Sequence, residues 1–238
     1  MIVIFTGCDR SGKTTLTNAF IEYSKKLSLD VEYKHFCVPT SPEQAKQEYF
    51  DYINSVDNDK LYVLDRFYES EYVYAPIYRN YSMDYLQEIE QLLNQKDVLF
   101  VYMQTPFTTI YNRLQELGDE YIDINDIQKI CNSFEMFFAT TTIPYITISG
   151  DYNLEEQTTI LQLIYSYIDK LKRLNKFYVN KPRSMGKLNS EFIIVNLSNN
   201  INIRNINDYM YQWISNKDTY QNDLSILDIN SLIFHIKG

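Results

Sequence analysis

Hydrophobic residues in the first 174 positions form short unbroken runs separated by longer amphipathic stretches. The runs predict five strands, at 2–6, 31–37, 61–64, 98–103 and 145–148. Ser41-Pro42 marks one helix start, and helical spacing predicts further helices at about 13–27, 83–95, 107–117, 123–140 and 153–173. Unbroken apolar strands that alternate with helices favour a parallel sheet with both faces covered. The predicted fold class is therefore α/β, with a five-stranded parallel sheet flanked by helices.

The chain changes character after Leu174. Residues 175–238 contain twelve asparagines and lose the alternation of strands and helices. In this part the sequence predicts a helix near 206–214 and strands near 177–179, 191–197 and 231–236. We therefore expect a main domain at 1–174 and a small α+β extension at 175–238, whose role the sequence does not indicate.

Composition and charge narrow the class of protein. The chain has 238 residues, of which 45% are hydrophobic and 22% charged, as is typical of a globular protein. The longest apolar run, at 98–103, is far too short to span a membrane, so no membrane partner is expected. The three cysteines are widely spaced and the start lacks a basic segment, which predicts a cytoplasmic protein without a signal peptide. The net charge of -9 disfavours a broad nucleic-acid surface.

A phosphate-binding pattern lies near the start of the chain. Residues 7–14 read G-C-D-R-S-G-K-T and match G-x-x-x-x-G-K-[ST] between an apolar strand and an amphipathic helix. Backbone N–H groups in such a loop surround phosphates, Lys13 reaches the β- and γ-phosphates, and Thr14 places a hydroxyl on Mg²⁺. The alternative is a glycine-rich turn with a surface lysine. The residues expected to bind ATP are Gly7, Asp9, Arg10, Ser11, Gly12, Lys13, Thr14 and Thr15.

A second charged pair follows the third predicted strand. Asp65 and Arg66 come directly after the apolar run at 61–64, and Phe67 follows them. Because the carboxyl ends of parallel strands face the ligand crevice, we expect this pair beside the phosphate loop. The alternative is a structural ion pair at the end of the strand.

These two segments resemble thymidylate kinases of the eukaryotic and poxviral type. The loop has that family's Gly-x-Asp-Arg-x-Gly-Lys-[ST] form, and residues 65–74 follow its Asp-Arg-[Tyr/Phe]-x-x-Ser-x-x-x-[Tyr/Phe] signature. The resemblance implies that Arg10 contacts the transferring phosphoryl group and that Asp9 holds the 3′-hydroxyl side of the acceptor. Dimerisation is likewise expected from the resemblance alone.

The same resemblance implies roles for the second segment. Asp65 would hold Mg²⁺ or the surroundings of the acceptor phosphate, and Arg66 would hold that phosphate itself. Ser70 and Tyr74 would line the pocket for deoxyribose and base. The expected catalytic residues are therefore Lys13, Arg10, Asp65 and Arg66, and the expected metal ligands are Thr14 and Asp65.

A lid is expected after the fourth strand. Residues 118–122 read Gly-Asp-Glu-Tyr-Ile, with Arg113 just before them. This run resembles small thymidylate-kinase-like deoxynucleotide kinases of bacteriophages, in which a lid at this position covers ATP. Arg113 is therefore expected to contact ATP. A plain helix C-terminus at Gly118 is the alternative.

The segment after the second strand departs from the family. Thymidylate kinases usually carry an arginine there, whereas residues 34–40 read Lys-His-Phe-Cys-Val-Pro-Thr. Phe36 corresponds to the family's aromatic residue and is expected to contact the substrate. Lys34 and Lys46 are the candidates to replace the missing positive charge.

The residues together favour a deoxynucleoside monophosphate kinase, which transfers the γ-phosphoryl group of ATP to the 5′-phosphate of a pyrimidine deoxynucleotide with Mg²⁺. Three alternatives stay open. A nucleoside kinase would need a carboxylate base, which residues 34–42 lack, although Asp65 could serve. A kinase of a modified pyrimidine in DNA would need a basic channel. A non-catalytic nucleotide-binding module would not need the complete set of loop groups that this chain carries.

Overall fold

The structure of the chain is a computed structural model that describes residues 1–57, 59–118 and 122–179, without the side chains of 170 and 172–179. Five strands make one parallel sheet: β1 (Ile2–Gly7), β2 (Val31–His35), β3 (Leu61–Asp65), β4 (Val98–Met103) and β5 (Tyr145–Ile148). Their order across the sheet is β2-β3-β1-β4-β5. The predicted five-stranded parallel sheet is therefore confirmed.

Helices cover both faces of this sheet. Those in the described residues are α1 (Lys13–Lys26), α2 (Pro42–Ser55), α3 (Tyr68–Tyr78), α4 (Leu86–Leu93), α5 (Phe107–Leu117), α6 (Ile127–Thr140) and α7 (Leu154–Val179). A 3-10 turn at Ile124–Asp126 precedes α6. None of them is both long enough and apolar enough to cross a bilayer.

Alternate residues of the central strands pack into two hydrophobic cores, one on each face of the sheet. Val3 and Phe5 of β1 pack on one face with Leu16 of α1 and with α7. Ile2 and Ile4 pack on the other face, in the core formed with α2, α3 and α6. All six residues of β1 are buried, because successive side chains in a strand point to opposite faces and both faces are covered here.

The strand register brings the carboxyl ends of the strands to one edge of the sheet. Asp65 at the end of β3 aligns with Phe5 of β1 and with His35 at the end of β2. Gly7 at the end of β1 aligns with Met103 at the end of β4. The segments that follow β1 and β3 therefore start side by side.

Most predicted elements are confirmed, with small shifts at their ends. Ser41 caps α2 as predicted, because its hydroxyl accepts a hydrogen bond from the N–H of Gln44 at 3.2 Å. The sequence analysis missed α3, which contains Pro76 and therefore lacks one backbone donor.

One prediction near the C-terminus is wrong. Residues 177–179 were predicted to form a strand, but α7 continues through them to Val179. This helix contains neither glycine nor proline over its 26 residues, so nothing in its sequence ends it before that point. The predicted domain boundary at 174 falls inside α7 and stays a prediction, and the elements predicted beyond 179 lie outside the described residues.

Candidate active site

A large cleft opens at the carboxyl edge of the sheet, with a volume of about 1220 Å³. Pockets for one drug-sized molecule are usually about 300–1,000 Å³, so this cleft has room for more than one small ligand. Most residues predicted for the site line it: Asp9, Arg10, Ser11, Gly12, Lys13, Thr14, Thr15, Phe36, Arg66, Ser70, Tyr74 and Arg113. Gly7 and Asp65 lie behind this lining.

The phosphate loop has the backbone that its glycines predict. Gly7 has φ of 142°, and a Cβ there would lie only 2.7 Å from the carbonyl oxygen of Met103. Gly12 has φ of 90° and immediately precedes α1, without a side chain to cap the helix. The first N–H groups of α1 are therefore left to bind an anion, as is usual at a helix N-terminus.

Lys13 and Asp65 form a buried charged pair behind the loop, and the exposed Thr14 contacts Asp65. Lys13 Nζ lies 3.6 Å from Asp65 Oδ1, and the hydroxyl of Thr14 donates a hydrogen bond to Asp65 Oδ2 at 3.1 Å. Asp65 is 1% exposed, and its Oδ1 has no hydrogen-bond partner within the described part of the chain. His35 Nδ1 also lies 3.4 Å from Asp65 Oδ2. The strand register thus brings Asp65 to the loop, as predicted.

Arg66, Asp9 and Tyr74 form a second polar group, on the side of the cleft next to α3. The guanidinium of Arg66 pairs with one carboxylate oxygen of Asp9, and the hydroxyl of Tyr74 donates to the other at 2.7 Å. Arg66 also lies over the ring of Tyr74, 5.3 Å from its centroid. Arg66 has φ of 68°, a left-handed conformation that costs a residue with a side chain about 1–2 kcal/mol. Such strain is concentrated at functional sites.

Arg113 holds the phosphate loop from outside. Its Nη1 donates to the carbonyl of Arg10 at 2.9 Å, and its Nη2 donates to the carbonyl of Gly150 at 3.1 Å. The guanidinium of Arg10 donates in turn to the carbonyl of Gly118, which ends α5. These contacts join α5 to the phosphate loop. Residues 119–121 of the predicted lid lie outside the described residues, and ATP contact by Arg113 stays a prediction.

Gly150 lets the chain after β5 approach the phosphate loop closely. A Cβ at this position would lie 2.1 Å from the carbonyl oxygen of Ser11 and 2.0 Å from the hydroxyl oxygen of Thr105. Thr105 also donates to that carbonyl of Ser11 at 2.9 Å. Gly150 could not be predicted as a site residue, because the chain segments that meet at it are far apart in sequence.

Phe36 lies among aromatic rings at the other end of the cleft. Its ring centroid is 4.8 Å from that of Phe67 and 5.6 Å from that of Tyr49. The two lysines proposed to replace the missing arginine are paired elsewhere: Lys34 with Glu48 at 3.0 Å, and Lys46 with Glu88 at 3.2 Å. Neither lysine is among the described residues that line the cleft.

Two charged residues that the sequence analysis missed also line the cleft. Glu71 lies on α3, and Arg79 directly follows that helix. Arg79 Nη2 lies 2.5 Å from Glu71 Oε2, and the Glu71 side chain is only 1% exposed. Glu71 precedes Tyr74 by three residues, and Tyr78 follows Tyr74 by four. This helical spacing was the available signal, but it has meaning only once α3 is known.

Glu69 lies beneath this end of the cleft and is fully buried. Its carboxylate accepts hydrogen bonds from the N–H of Phe67 at 2.9 Å and from the hydroxyl of Ser70 at 3.2 Å. Burial nevertheless raises the pKa of Glu69 from its ordinary value of 4.5 to about 7. The side of the cleft next to α3 therefore rests on a carboxyl group whose pKa lies near neutral pH.

Comparison with known proteins places the chain in a class. The alignment with the thymidylate kinase of Plasmodium falciparum (isolate 3D7) is 26% identical over 163 residues, 57% of this chain and 76% of that kinase. The crystal structure of YorR from Bacillus subtilis in complex with phosphorylated GDP superposes with a TM-score of 0.54 at 22% identity, over 71% of this chain and 96% of YorR. The fold and the phosphate loop are of the P-loop nucleotide kinase type, and these similarities support that class.

The family follows from the sequence of YorR itself. The SPbeta prophage-derived uncharacterized protein YorR of Bacillus subtilis (strain 168) is 30% identical over 162 residues, which are 65% of this chain and 93% of YorR. No family model matches the sequence. The chain belongs to the YorR family.

Proposed function

We propose that the protein is a deoxynucleoside monophosphate kinase, which transfers the γ-phosphoryl group of ATP to the 5′-phosphate of a pyrimidine deoxynucleotide. The observation that carries this proposal is the meeting of two charged groups in one cleft. Lys13 and Asp65 lie at the phosphate loop, and Arg66 pairs with Asp9 of the same loop on the side that faces α3. Phosphoryl transfer depends on positioning and charge neutralisation, which such an arrangement supplies.

The phosphate-loop end fits the donor nucleotide. The N-terminus of α1 and the loop N–H groups supply positive partial charge to the phosphates, and Lys13 adds a full charge beside them. Arg10 already contacts the end of α5, so its guanidinium lies between the loop and the segment predicted to close over ATP. A planar guanidinium suits the transferring group because it binds two phosphate oxygens at once.

Thr14 and Asp65 fit a magnesium ion. Their hydroxyl and carboxylate oxygens are the hard ligands that Mg²⁺ prefers, and one Asp65 oxygen has no hydrogen-bond partner in the described part of the chain. In residues 1–57, 59–118 and 122–179, no three acidic, histidine or cysteine side chains form a cage for a metal. A site with two protein ligands is typical of Mg²⁺ bound together with phosphates. When bound there, the ion would neutralise phosphate charge.

The side of the cleft next to α3, which we call the acceptor end, fits a monophosphate acceptor. Arg66 has five N–H donors and pairs with Asp9 through one of its terminal nitrogens, which leaves other donors for a phosphate. Asp9 and Tyr74 hold Arg66 in place through the hydrogen bond and the ring contact. Because an acceptor phosphate is already a nucleophile, this end needs no general base. Phe36, Ser70 and Tyr74 complete the proposed pocket for sugar and base.

The similar proteins indicate which nucleotides should be tested as acceptors. The similar Plasmodium protein is a thymidylate kinase, which supports a pyrimidine acceptor. YorR was crystallised with phosphorylated GDP, so a guanine nucleotide must be tested beside the pyrimidines. The homodimer implied by the family resemblance also stays a prediction, which light scattering after gel filtration can check.

Release of ADP measured with a panel of acceptors tests the proposal. We expect Mg²⁺-dependent turnover with dTMP, dUMP or dCMP, and much lower turnover with dGMP, thymidine and DNA that contains a modified pyrimidine. Turnover with thymidine but with no monophosphate would instead identify a nucleoside kinase. ATP binding without turnover on any acceptor would identify a binding module.

A further inference from the structure

The ion pair between Glu71 and Arg79 has an unusual geometry. The two residues are eight positions apart, which corresponds to about 12 Å along a helix axis. The Arg79 side chain must therefore lie back along α3 to place Nη2 2.5 Å from Glu71 Oε2. The pair is built across two helical turns and lies in the wall of the cleft.

Part of the hydrogen-bonding capacity of this pair is unused. Glu71 Oε1 and Arg79 Nε are both buried, and neither has a hydrogen-bond partner among the described residues. The buried hydroxyl of Tyr81, whose ring lies 5.8 Å from the Arg79 guanidinium, is also without a partner there. Buried polar atoms without partners cost about 1–3 kcal/mol each, and more when charged. An acceptor and a donor on the same pair, in residues that line the cleft, are thus left without a protein partner among the described residues.

The surroundings of the pair define the shape of that ligand. Aromatic side chains form this part of the cleft: Phe36, Tyr49, Phe67, Tyr74 and Tyr78. The rings of Tyr74 and Tyr78 are stacked at an interplanar angle of 19°, and Glu71 precedes them on the same helix. An aromatic wall beside one acceptor and one donor suits a flat, polar-edged molecule, which is the chemistry of a nucleobase.

We propose that Glu71 and Arg79 recognise the hydrogen-bonding edge of the acceptor's base, an inference that rests on the proposed function. A carboxylate only accepts hydrogen bonds and Nε–H only donates, so the pair requires an N–H group beside an acceptor atom. Thymine and uracil offer N3–H beside a carbonyl, and cytosine offers its exocyclic amine beside N3. A base with that N–H blocked leaves Glu71 Oε1 and Arg79 Nε unpaired.

Blocking the base edge provides the first test. kcat/KM is measured for dTMP and dCMP and for their edge-methylated forms, N3-methyl-dTMP and N4,N4-dimethyl-dCMP. The preferred natural nucleotide identifies which edge is recognised. We expect its methylated form to react at least about 10²-fold less well, since a site built to pair with an N–H strongly rejects analogues that lack it. Equal use of both forms would overturn the inference.

The variant Glu71→Gln provides the second test. We expect kcat/KM for the preferred nucleotide to fall about 10-fold or more and discrimination against its methylated form to shrink, while KM for ATP stays unchanged. Glu90→Gln is the matched control. Glu90 is also buried, but it accepts hydrogen bonds from Thr141 and Thr142 and does not line the described cleft. Its variant should keep the discrimination of the wild type.

Several outcomes separate this inference from its rivals. If Glu71→Gln lowers the melting temperature but keeps the discrimination, the ion pair is only structural and the inference is wrong. Arg79→Lys retains the charge without Nε and should lose discrimination in the same way, so it replaces Glu71→Gln if that variant does not fold. If the wild type phosphorylates no monophosphate, the proposed function itself is wrong and the inference fails with it.

Discussion

The two ends of the cleft are built differently. The phosphate-loop end comes from one contiguous segment and one aligned strand, and its charged groups are already paired as Lys13 with Asp65. The acceptor end comes from α2, α3 and the segment after β2, and part of its polar capacity is unpaired at Glu71 and Arg79. The first end is a largely preformed anion site. The second end keeps buried polar atoms without partners among the described residues, which the proposed ligand would satisfy.

The difference indicates which end determines chemistry and which determines selectivity. An anion site made of backbone N–H groups and a lysine binds any triphosphate, because every nucleotide donor presents the same phosphates. A pocket with unpaired buried polar atoms favours a ligand that satisfies them and rejects one that does not. We therefore expect variants at the two ends to change different kinetic constants.

Lys13→Ala should give the largest effect. Removal of the charge beside the transferring group should lower kcat by about 10²-fold or more. Lys25→Ala is the matched control, since Lys25 lies on the same helix, is 59% exposed and pairs only with Glu22 among the described salt bridges. Lys13→Ala leaves Asp65 without its buried partner and is expected to be less stable. Both variants are therefore assayed well below their melting temperatures. Equal rates for the two variants would mean that the loop is not the active site.

Comparison of the wild type with Glu69→Gln should reveal a pH dependence of the unfolding free energy that comes from a carboxyl group beneath the acceptor end. Burial raises the pKa of Glu69 to about 7, so the folded protein keeps a proton that the unfolded chain releases near 4.5. The stability due to Glu69 is therefore present below pH 4.5 and is lost as the pH rises through 7. The difference in unfolding free energy between wild type and variant should fall by on the order of 3 kcal/mol over this range.

Urea unfolding of both proteins at pH 5, 6, 7 and 8 measures this difference directly. Other groups titrate in both proteins alike, so they cancel in the comparison. A difference that stays constant with pH would contradict the raised pKa of Glu69 and the tight burial of its carboxyl group.

Arg10→Ala should have an intermediate effect on kcat and should show whether the loop arginine acts in phosphoryl transfer or only in ATP binding. If the guanidinium contacts the transferring group, kcat falls about 10-fold or more while KM for ATP changes little. Arg10→Lys keeps the charge without the planar fork and should recover only part of the rate. A higher KM for ATP with unchanged kcat would make Arg10 a residue for binding alone.

Lys34→Met should have the smallest effect. Lys34 pairs with Glu48 and lies 4.2 Å from the centroid of the Phe36 ring, outside the described lining of the cleft. We expect kcat/KM for the monophosphate to change less than about twofold, as is usual for a partly exposed charge that is already paired away from the site. A large rise in KM for the monophosphate would instead mean that Lys34 supplies the charge of the missing arginine.

The sequence predicts the two ends unequally, and the cause is physical. The phosphate loop is contiguous, so its residue types and spacing alone specify a backbone that surrounds phosphates. Asp65 is far from the loop in sequence, but because parallel strands end at the same edge of a sheet, its position beside the loop could be predicted. The alternation of buried runs and amphipathic stretches likewise specified the sheet.

The acceptor end depends on α3, which the hydrophobic pattern of the sequence does not predict. In α3 the residues at 72–78 are all apolar or aromatic, so they show no amphipathic helical pattern, and Pro76 argues against a helix interior. Without that helix, Glu71 and Arg79 could not be seen as neighbours. The close approach at Gly150 was equally hidden, because it depends on tertiary contact and not on local sequence.

Binding of ATP to the purified protein tests the central claim most directly. Isothermal titration calorimetry is carried out with Mg²⁺ and again with the metal chelated. We expect saturable binding of one ATP per chain with Mg²⁺, and clearly weaker binding without it, because Thr14 and Asp65 would contribute only through the ion. No measurable ATP binding under either condition would contradict the account.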